Sequence, residues 1–215
     1  MISEIEKLAS GIKDFSDQNS ILIVGVSGLG GAGKSTLCHD LVESFPDQAI
    51  HFECDLFAQY GTLERRQRIS EALDSGDEDR IESEENPQNW YDWQRIEQAL
   101  ISLKETGRYN FTGGFNQKSG EKDKAAELEL KQSEHAIIFV DCIYLLHLPV
   151  RDLIDCAIYI DAPLEESFQR SYDRDKHRSD HDYLVYKQNV TKKYCVPYFD
   201  KYRQYADIIF KPKNH

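Results

Sequence analysis

The chain has 215 residues, of which 40% are hydrophobic and 30% are charged, and its formal net charge is −12. This profile is typical of one water-soluble domain, and it excludes an integral membrane protein because no apolar run approaches the roughly 20 residues that span a bilayer. The negative charge argues against general nucleic-acid binding, which requires clustered Lys and Arg. We therefore expect one domain over residues 1–215, with neither a membrane nor a nucleic acid among its partners.

The N-terminal segment and the cysteines indicate a compartment. Residues 1–19 predict a helix, and they lack the basic start and continuous apolar stretch of a signal peptide. Five cysteines occur without a C-x-x-C pair, which fits buried free thiols better than disulfides or a zinc site. We therefore expect a cytoplasmic protein. The apolar face of the predicted helix consists of Ile5, Leu8, Ile12 and Phe15.

Five short apolar runs predict β-strands, and stretches of helical character lie between them. Near-continuous apolar runs are typical of parallel strands that are covered on both faces. The alternation therefore predicts an α/β fold of three layers around a central five-stranded parallel sheet. The runs are 21–26, 49–54, 136–141, 156–161 and 206–210.

Helix boundaries can also be read from the sequence. One helix is expected to begin after Asp92, a good N-cap, and to end at Gly107. Another is expected to begin near Pro163, whose ring suits the first helical turn. Two polar stretches, 74–89 and 112–132, are expected to be solvated surface.

A glycine-rich loop, VSGLGGAGKSTL at 26–37, directly follows the first apolar run. Gly28, four further residues, Gly33, Lys34 and Ser35 match the phosphate-loop pattern G-x-x-x-x-G-K-[ST]. A helix expected from Lys34 to Phe45 would direct its N-terminus at phosphate oxygens. The alternative is a glycine-rich turn that only joins a strand to a helix.

This loop predicts a bound nucleoside triphosphate, with ATP as the first choice. Lys34 would contact the outer phosphates, Ser35 would ligate Mg²⁺, and Thr36 would support the same turn. A GTPase is disfavoured because the chain has no N-K-x-D motif. The expected nucleotide-binding residues of the loop are Gly28, Gly30, Gly31, Ala32, Gly33, Lys34, Ser35 and Thr36.

A carboxylate, Asp55, follows the second predicted strand. Ligands of open α/β sheets bind at the carboxyl ends of the strands. There Asp55 could accept a proton from an attacking hydroxyl or hold Mg²⁺. The alternative is a helix N-cap.

These motifs together resemble the uridine kinase and phosphoribulokinase family of small-molecule kinases, from about residue 20 to 210. The resemblance implies a P-loop fold with a helical lid over 165–182, the use of ATP and Mg²⁺, and transfer of phosphate to an alcohol group of a small acceptor. It implies that Asp55 is the catalytic base and that Asp141 is the magnesium-linked acid, where the family usually has Glu. The matching segments are GLGGAGKST, ECDLF, NPQNWYDW, IIFVDCIYLL, DRDKHR and YADIIF.

The lid resemblance concerns arginines that recur every four residues. Arg170, Arg174 and Arg178 would share one helical face and could close on the triphosphate, which makes Arg170 and Arg174 catalytic candidates. The alternative is a salt-bridged surface helix, because Glu166 precedes Arg170 by four residues.

The acceptor side departs most from the family. Glu85 stands where the family has its ribose-binding Asp, and Phe115 with Asn116 stands in place of a Tyr-Asp pair. A nucleoside such as uridine is the leading acceptor, with pantothenate, a sugar phosphate and nicotinamide riboside as alternatives. A nucleotide-binding regulatory protein without catalysis is the rival function. Family members often assemble, so a homo-oligomer is also open. The aromatic residues that could stack on a flat acceptor, or pack instead in the core, are Trp90, Tyr91 and Trp93.

Overall fold

The computed structural model of the protein describes residues 4–16, 20–131, 135–177 and 179–212. Its strands are β1 (Ile21–Ser27), β2 (Ala49–Glu53), β3 (Arg108–Gly114), β4 (Lys124–Glu129), β5 (Ala136–Asp141), β6 (Cys156–Ile160) and β7 (Ile208–Phe210). Its α-helices are α1 (Glu4–Ser16), α2 (Lys34–Ser44), α3 (Thr62–Ser75), α4 (Glu78–Glu85), α5 (Trp93–Thr106), α6 (Leu164–Asp175), α7 (His181–Val190) and α8 (Val196–Tyr202). Single 3₁₀ turns span Cys54–Phe57, Pro87–Trp90, Val150–Leu153 and Arg203–Tyr205, and a π-helical turn spans Thr191–Cys195.

The central sheet confirms the predicted α/β fold. Five parallel strands lie in the order β2-β5-β1-β6-β7. β5 and β6 are buried along their whole length, as expected of strands with continuous apolar runs. Because the strands are parallel, the loop after β1, the turn after β2 and the end of β5 meet at one edge of the sheet.

The predicted helix boundaries are also confirmed. α2 begins at Lys34 and ends at Ser44, one residue before the predicted end. The Asp92 side chain accepts a hydrogen bond from the Arg95 backbone N–H at the start of α5, and Gly107 ends this helix with φ 74°. α6 begins directly after Pro163.

The two polar stretches contain structure that their composition did not predict. Residues 74–89 include α4, and 112–132 form much of an antiparallel hairpin of β3 and β4. Most of their side chains are exposed, as expected, but Glu85 is buried. The sequence pattern missed these elements because few large apolar side chains mark them.

The N-terminal helix and the cysteines add two observations. In α1, Leu8 and Ile12 are buried against the core, whereas half of the Phe15 surface is exposed. All five cysteines lie within the described residues, and each is a buried free thiol. Within the same described ranges, no helix is both long and apolar enough to cross a membrane.

Candidate active site

The glycine loop after β1 has a conformation that depends on two glycines. Gly31 has φ 85° and Gly33 has φ 101°, a left-handed region that side chains with a Cβ disfavour. At Gly31 a Cβ would also overlap the backbone oxygen of Ser167 in α6. The loop therefore packs directly against the first turn of α6, the helix that carries Arg170 and Arg174.

The polar groups at the end of this loop are held by two hydrogen bonds. Lys34 Nζ donates to the Leu29 carbonyl oxygen over 3.1 Å. Ser35 Oγ donates to Asp141 Oδ2 over 2.5 Å. Thr36 lies exposed in the first turn of α2. The loop thus connects directly to the carboxylate at the end of β5.

Asp55 lies in the 3₁₀ turn after β2 and faces a cavity. The Tyr91 hydroxyl donates to its Oδ1 over 3.2 Å, and Gln117 Nε2 donates to its Oδ2 over 3.2 Å. The residue is exposed, and the hydrogen bonds from Tyr91 and Gln117 shield part of its carboxylate from solvent. This partial desolvation and the negative charge of Asp141 raise the pKa of Asp55, against the opposing effects of Lys34 and Tyr91. A raised pKa makes a carboxylate a better proton acceptor near neutral pH.

Asp141 lies at the end of β5 and has the opposite tendency. Its burial disfavours the charge, but the approach of His51, the charge of Lys34 and the hydrogen bond from Ser35 outweigh this effect and lower its pKa. His51 Nε2 lies 3.6 Å from Asp141 Oδ2. The lowered pKa of Asp141 favours its charged form, whereas the raised pKa of Asp55 disfavours the charged form.

A cavity of about 220 Å³ joins the glycine loop to the predicted acceptor residues. Gly30 and Asp55 line it, and the aromatic rings of Trp90, Tyr91 and Phe115 contribute to its walls. The structure therefore brings together residues from the phosphate loop, the candidate base and the acceptor segment.

Two other residues of the acceptor segment do not line this cavity. Trp93 packs edge-on against His147 and donates from Nε1 to the Gln88 carbonyl oxygen. Asn116 belongs to a turn of its own, in which its Nδ2 donates to Asp123. Trp93 packs against Tyr91 in the cavity wall, whereas Asn116 lines a neighbouring space that Asp55 and Phe115 also line.

The loop and the carboxylates fit a nucleotide with Mg²⁺. A Cβ at Gly30 would meet nothing within 4 Å, so the backbone beside the cavity leaves room for phosphate oxygens. The Ser35 hydroxyl and the Asp141 and Asp55 carboxylates are hard oxygen ligands of the kind that Mg²⁺ prefers.

The predicted lid arginines occupy different environments. Arg170 Nη2 forms a 2.8 Å salt bridge with Glu166 on the surface of α6. Arg170 therefore follows the alternative prediction of a salt-bridged surface helix. Arg174 lines the cavity and makes two hydrogen bonds to Asp175. Arg178 lies outside the described residues. Of the two lid arginines that the structure describes, Arg174 is the one that lines the cavity with Asp55.

Glu85 lies apart from the cavity lining. Its carboxylate accepts hydrogen bonds from the Tyr186 hydroxyl, Lys193 Nζ and the Tyr194 hydroxyl at 2.8, 2.7 and 3.0 Å. Burial opposes the charge, but these bonds outweigh it and lower the pKa of Glu85. Glu85 joins the end of α4 to α7 and to the π-helical turn, and three donors already occupy its oxygens.

Two arginines of α3 were not predicted from the sequence. The guanidinium carbon of Arg65 lies 4.4 Å from the centre of the Trp90 ring. The Arg65 side chain also lines the cavity. Arg66 lies 3.5 Å over the Tyr183 ring and donates to Ser179. In the sequence they belong to an ordinary polar helix, and only the fold turns them toward the acceptor region.

Comparison with known proteins agrees with this geometry. Residues 23–214 match the family model described as the phosphoribulokinase / uridine kinase family. The chain belongs to this family. Over 192 residues it is 26% identical to a uridine kinase of Clostridium novyi, which covers 87% of this chain and 86% of that protein. It is 23% identical to a phosphoribulokinase of Synechocystis, covering 89% of this chain and 53% of that protein.

A solved structure supports the fold of this phosphoribulokinase / uridine kinase family member. The D-glycerate 3-kinase of Cryptococcus neoformans superposes with a TM-score of 0.62 at 14% identity, covering 97% of this chain and 96% of that chain. At this identity the likeness concerns the fold alone. Family membership identifies the chain as a nucleotide-binding P-loop kinase of a small metabolite, and it implies the use of ATP.

Proposed function

We propose that the protein transfers the γ-phosphate of ATP to an alcohol hydroxyl of a small metabolite, with a nucleoside such as uridine as the first acceptor to test. The observation that carries this proposal is the position of Asp55. Its carboxylate faces the cavity that Gly30 of the phosphate loop also lines, and its pKa is raised. A base in this position lies between a triphosphate on the loop and a hydroxyl in the cavity.

In the proposed reaction, Asp55 accepts the proton of the acceptor hydroxyl. The acceptor oxygen forms a bond to the γ-phosphorus, the bond from this phosphorus to the bridging oxygen breaks, and ADP leaves. The hydrogen bonds from Tyr91 and Gln117 hold the carboxylate of Asp55 in one orientation. Such fixed orientation contributes to catalysis because no reorganisation is needed during the reaction.

Two positive groups near Asp55 would neutralise the transferred phosphate. Lys34 projects from the start of α2, and Arg174 lines the cavity from α6. Mg²⁺ held through Ser35 and Asp141 would supply further positive charge when bound. Preorganised charge of this kind is a large contribution to phosphoryl-transfer catalysis.

The cavity walls support a planar acceptor. Trp90, Tyr91 and Phe115 present aromatic surface within one small cavity. Aromatic walls suit a flat heterocycle. A hydroxyl of the ribose attached to it would then reach toward Asp55. This arrangement favours a nucleoside among the neutral acceptors.

An anionic acceptor such as a sugar phosphate is a second candidate, and the charges beside the cavity favour it. A neighbouring space of about 430 Å³ shares Asp55 with the cavity. The carboxylate of Asp175 also lines it and pairs with Arg174 and Lys187. Four cationic side chains besides Arg174 line it: Arg65, Arg66, Lys118 and Lys187. In a chain with net charge −12, this local excess of positive charge is suited to a phosphate or carboxylate on the acceptor.

An acceptor panel separates these candidates. Purified protein with ATP and Mg²⁺ would be given uridine, nicotinamide riboside, pantothenate and a set of sugar phosphates, and ADP release would be followed. For an anionic acceptor, Arg65→Ala should raise the KM by about tenfold or more, the loss expected for a charged hydrogen bond. For a nucleoside, Arg65→Ala should change the KM only because Trp90 loses the guanidinium of Arg65 that stacks on its ring. A neighbouring variant on α3, Gln67→Ala, serves as the matched control because Gln67 is exposed.

The rival function, nucleotide binding without catalysis, is tested by the same preparation. ATP binding measured by calorimetry, combined with no acceptor-dependent ADP release across the panel, would favour the rival. Turnover that Asp55→Asn abolishes would favour the kinase.

A further inference from the structure

A cluster of three metal-ligating side chains lies behind the phosphate loop. A sulfur of Cys38 in α2, a ring nitrogen of His51 in β2 and a carboxylate oxygen of Asp141 in β5 all lie within 4.8 Å of one another. These residues come from three elements that the parallel sheet brings together, and their side chains converge on one point. The proposed transfer reaction uses Asp141 but neither Cys38 nor His51.

His51 is the unusual member of the cluster. Only 10% of its side chain is exposed, and both ring nitrogens are buried without a hydrogen bond among the residues that the structure describes. Buried polar atoms normally have partners, because an unpartnered one loses its hydration without compensation. The ring also approaches Asp141 Oδ2 to 3.6 Å. Two ligands at about 2.0–2.1 Å from a tetrahedral ion are separated by about 3.4 Å, so this spacing is close to that of a coordinated pair.

We propose that Cys38, His51 and Asp141 form a binding site for a borderline-soft divalent transition metal, with Zn²⁺ as the type case. Thiolate, imidazole and carboxylate are the three ligand types that Zn²⁺ takes in proteins. The fourth tetrahedral position would hold a water molecule. Mg²⁺ prefers oxygen ligands alone, so the sulfur and nitrogen donors distinguish this site from the nucleotide-linked magnesium site.

Metal binding at this site releases one proton. The Cys38 sulfur exchanges its proton for a bond to the metal, and the proton passes to solvent. Neutral His51 donates the lone pair of one ring nitrogen, and one carboxylate oxygen of Asp141 completes the protein ligands. No change of oxidation state is involved.

Metal binding at this site would inhibit the kinase. Asp141 Oδ2 accepts the hydrogen bond from Ser35, the residue expected to ligate Mg²⁺. A transition metal on Asp141 would withdraw this carboxylate from the magnesium site. This consequence rests on the proposed function, whereas metal binding itself does not.

Cobalt spectroscopy tests binding without any substrate. Metal-free full-length protein would be titrated with Co²⁺, and a thiolate-to-cobalt charge-transfer band in the near ultraviolet reports a cysteine ligand. We expect saturation at one Co²⁺ per chain, displacement by equimolar Zn²⁺, and no displacement by a large excess of Mg²⁺. Absence of the band, or displacement by Mg²⁺ at comparable concentration, would overturn the proposal.

Matched variants identify the ligands. Cys38→Ala should abolish the band, and His51→Gln should weaken cobalt binding by about tenfold or more, as losses around a metal site do. Cys156→Ala removes another buried thiol that is not part of the cluster, so it should leave binding unchanged. Circular dichroism would establish that each variant is folded. Because Cys38 is buried, the His51 variant decides the outcome if Cys38→Ala does not fold, and unchanged cobalt affinity in it would refute the site.

Inhibition is measured separately. If the acceptor panel gives turnover, Zn²⁺ should inhibit the wild type at about tenfold lower concentration than it inhibits His51→Gln. Equal inhibition of both would refute the regulatory consequence and leave the binding result intact. If no acceptor is found, the proposed function fails while the cobalt titration still decides the metal site.

Discussion

Ser35 Oγ at the start of α2 donates a 2.5 Å hydrogen bond to Oδ2 of Asp141 at the end of β5, 106 residues further along the chain. This bond joins the phosphate loop to the carboxylate that the family resemblance links to magnesium. Both oxygens are of the kind that Mg²⁺ prefers, and they are already within ligand reach of each other. The packing of α2 against the sheet therefore holds the pair in place.

The first prediction concerns the charge of Asp141. Asp141→Asn should raise the Mg²⁺ concentration for half-maximal turnover by about tenfold or more, because a charged oxygen ligand or its orienting partner is lost. Asp141→Glu should restore much of the magnesium response, since Glu is the usual family residue there. ADP release measured across a magnesium titration gives the result. An unchanged magnesium dependence in the Asn variant would contradict the assignment.

The second prediction separates catalysis from folding at Asp55. Asp55→Asn should lower kcat by about 10²–10⁴-fold, the range that a positioned general base contributes. Thermal stability should not fall, because the raised pKa of Asp55 means that its charge is disfavoured in the folded protein at neutral pH. The measurements are single-turnover kinetics and thermal unfolding. A stable variant with undiminished turnover would remove Asp55 from the mechanism.

The third prediction is a pH profile. The Tyr91 hydroxyl donates to Asp55 and stabilises its ionised form, which lowers its pKa. Tyr91→Phe removes this donor, so the pKa of Asp55 should rise further and the acid limb of kcat/KM should move to higher pH. The profile of the Phe variant is compared with that of wild type on the same acceptor. A shift of the acid limb to lower pH would show that another group controls it.

Much of the fold follows from the sequence because its signals are local. The runs that became β1 and β5 are nearly continuous in apolar residues, as burial on both faces requires. Asp92 caps the start of α5 with its side chain, and Gly107 ends the helix in a left-handed conformation that glycine adopts readily. In contrast, β4 alternates exposed and half-buried side chains with few large apolar residues, so its pairing with β3 left little trace in the sequence.

The candidate site divides in the same way. Asp55 could be located from the sequence because a residue just after a parallel strand lies at the ligand-binding edge. The environment of His51 could not, because it depends on contacts with α2 and β5 that no local pattern encodes. Glu85 was expected at the acceptor, yet its partner Lys193 lies 108 residues away in the chain. A partnership of that separation exists only once the fold is formed.

The fourth prediction tests what Glu85 does. Glu85→Gln should lower the free energy of unfolding at neutral pH by about 1–3 kcal/mol, because charged hydrogen bonds from Lys193 and the two tyrosines are weakened. The pKa of Glu85 is lowered on folding, so its stabilisation is present above the unfolded-state pKa of about 4.3 and is lost as the pH falls. The difference between variant and wild type should therefore shrink on acidification.

Kinetics complete the test of Glu85. If this carboxylate only joins α4 to α7 and the π-helical turn, Glu85→Gln should leave the acceptor KM within about twofold of wild type. A large rise in the acceptor KM, with stability unchanged, would instead support the acceptor role that the sequence suggested. Denaturant unfolding and acceptor titrations on the same preparations distinguish the two outcomes.

The fifth prediction compares two neighbouring glycines of the phosphate loop. At Gly31 a Cβ would overlap the Ser167 carbonyl oxygen, and the backbone has φ 85°. Gly31→Ala should therefore lower the free energy of unfolding by about 2–4 kcal/mol, from steric overlap with α6 and from a disfavoured backbone conformation. Denaturant titration measures the change, and the m-value of the variant should equal that of wild type.

Gly30→Ala is the matched control, because a Cβ there meets nothing within 4 Å. Its stability should stay within about 0.5 kcal/mol of wild type, the usual range for substitutions without contacts. Its nucleotide affinity should still fall, because the added methyl group enters the space that the loop leaves for phosphate. Equal stability of the two alanine variants would show that the loop and α6 are not packed as closely as Gly31 and Ser167 indicate. A stable Gly30→Ala with undiminished ATP affinity would place the phosphates elsewhere along the loop.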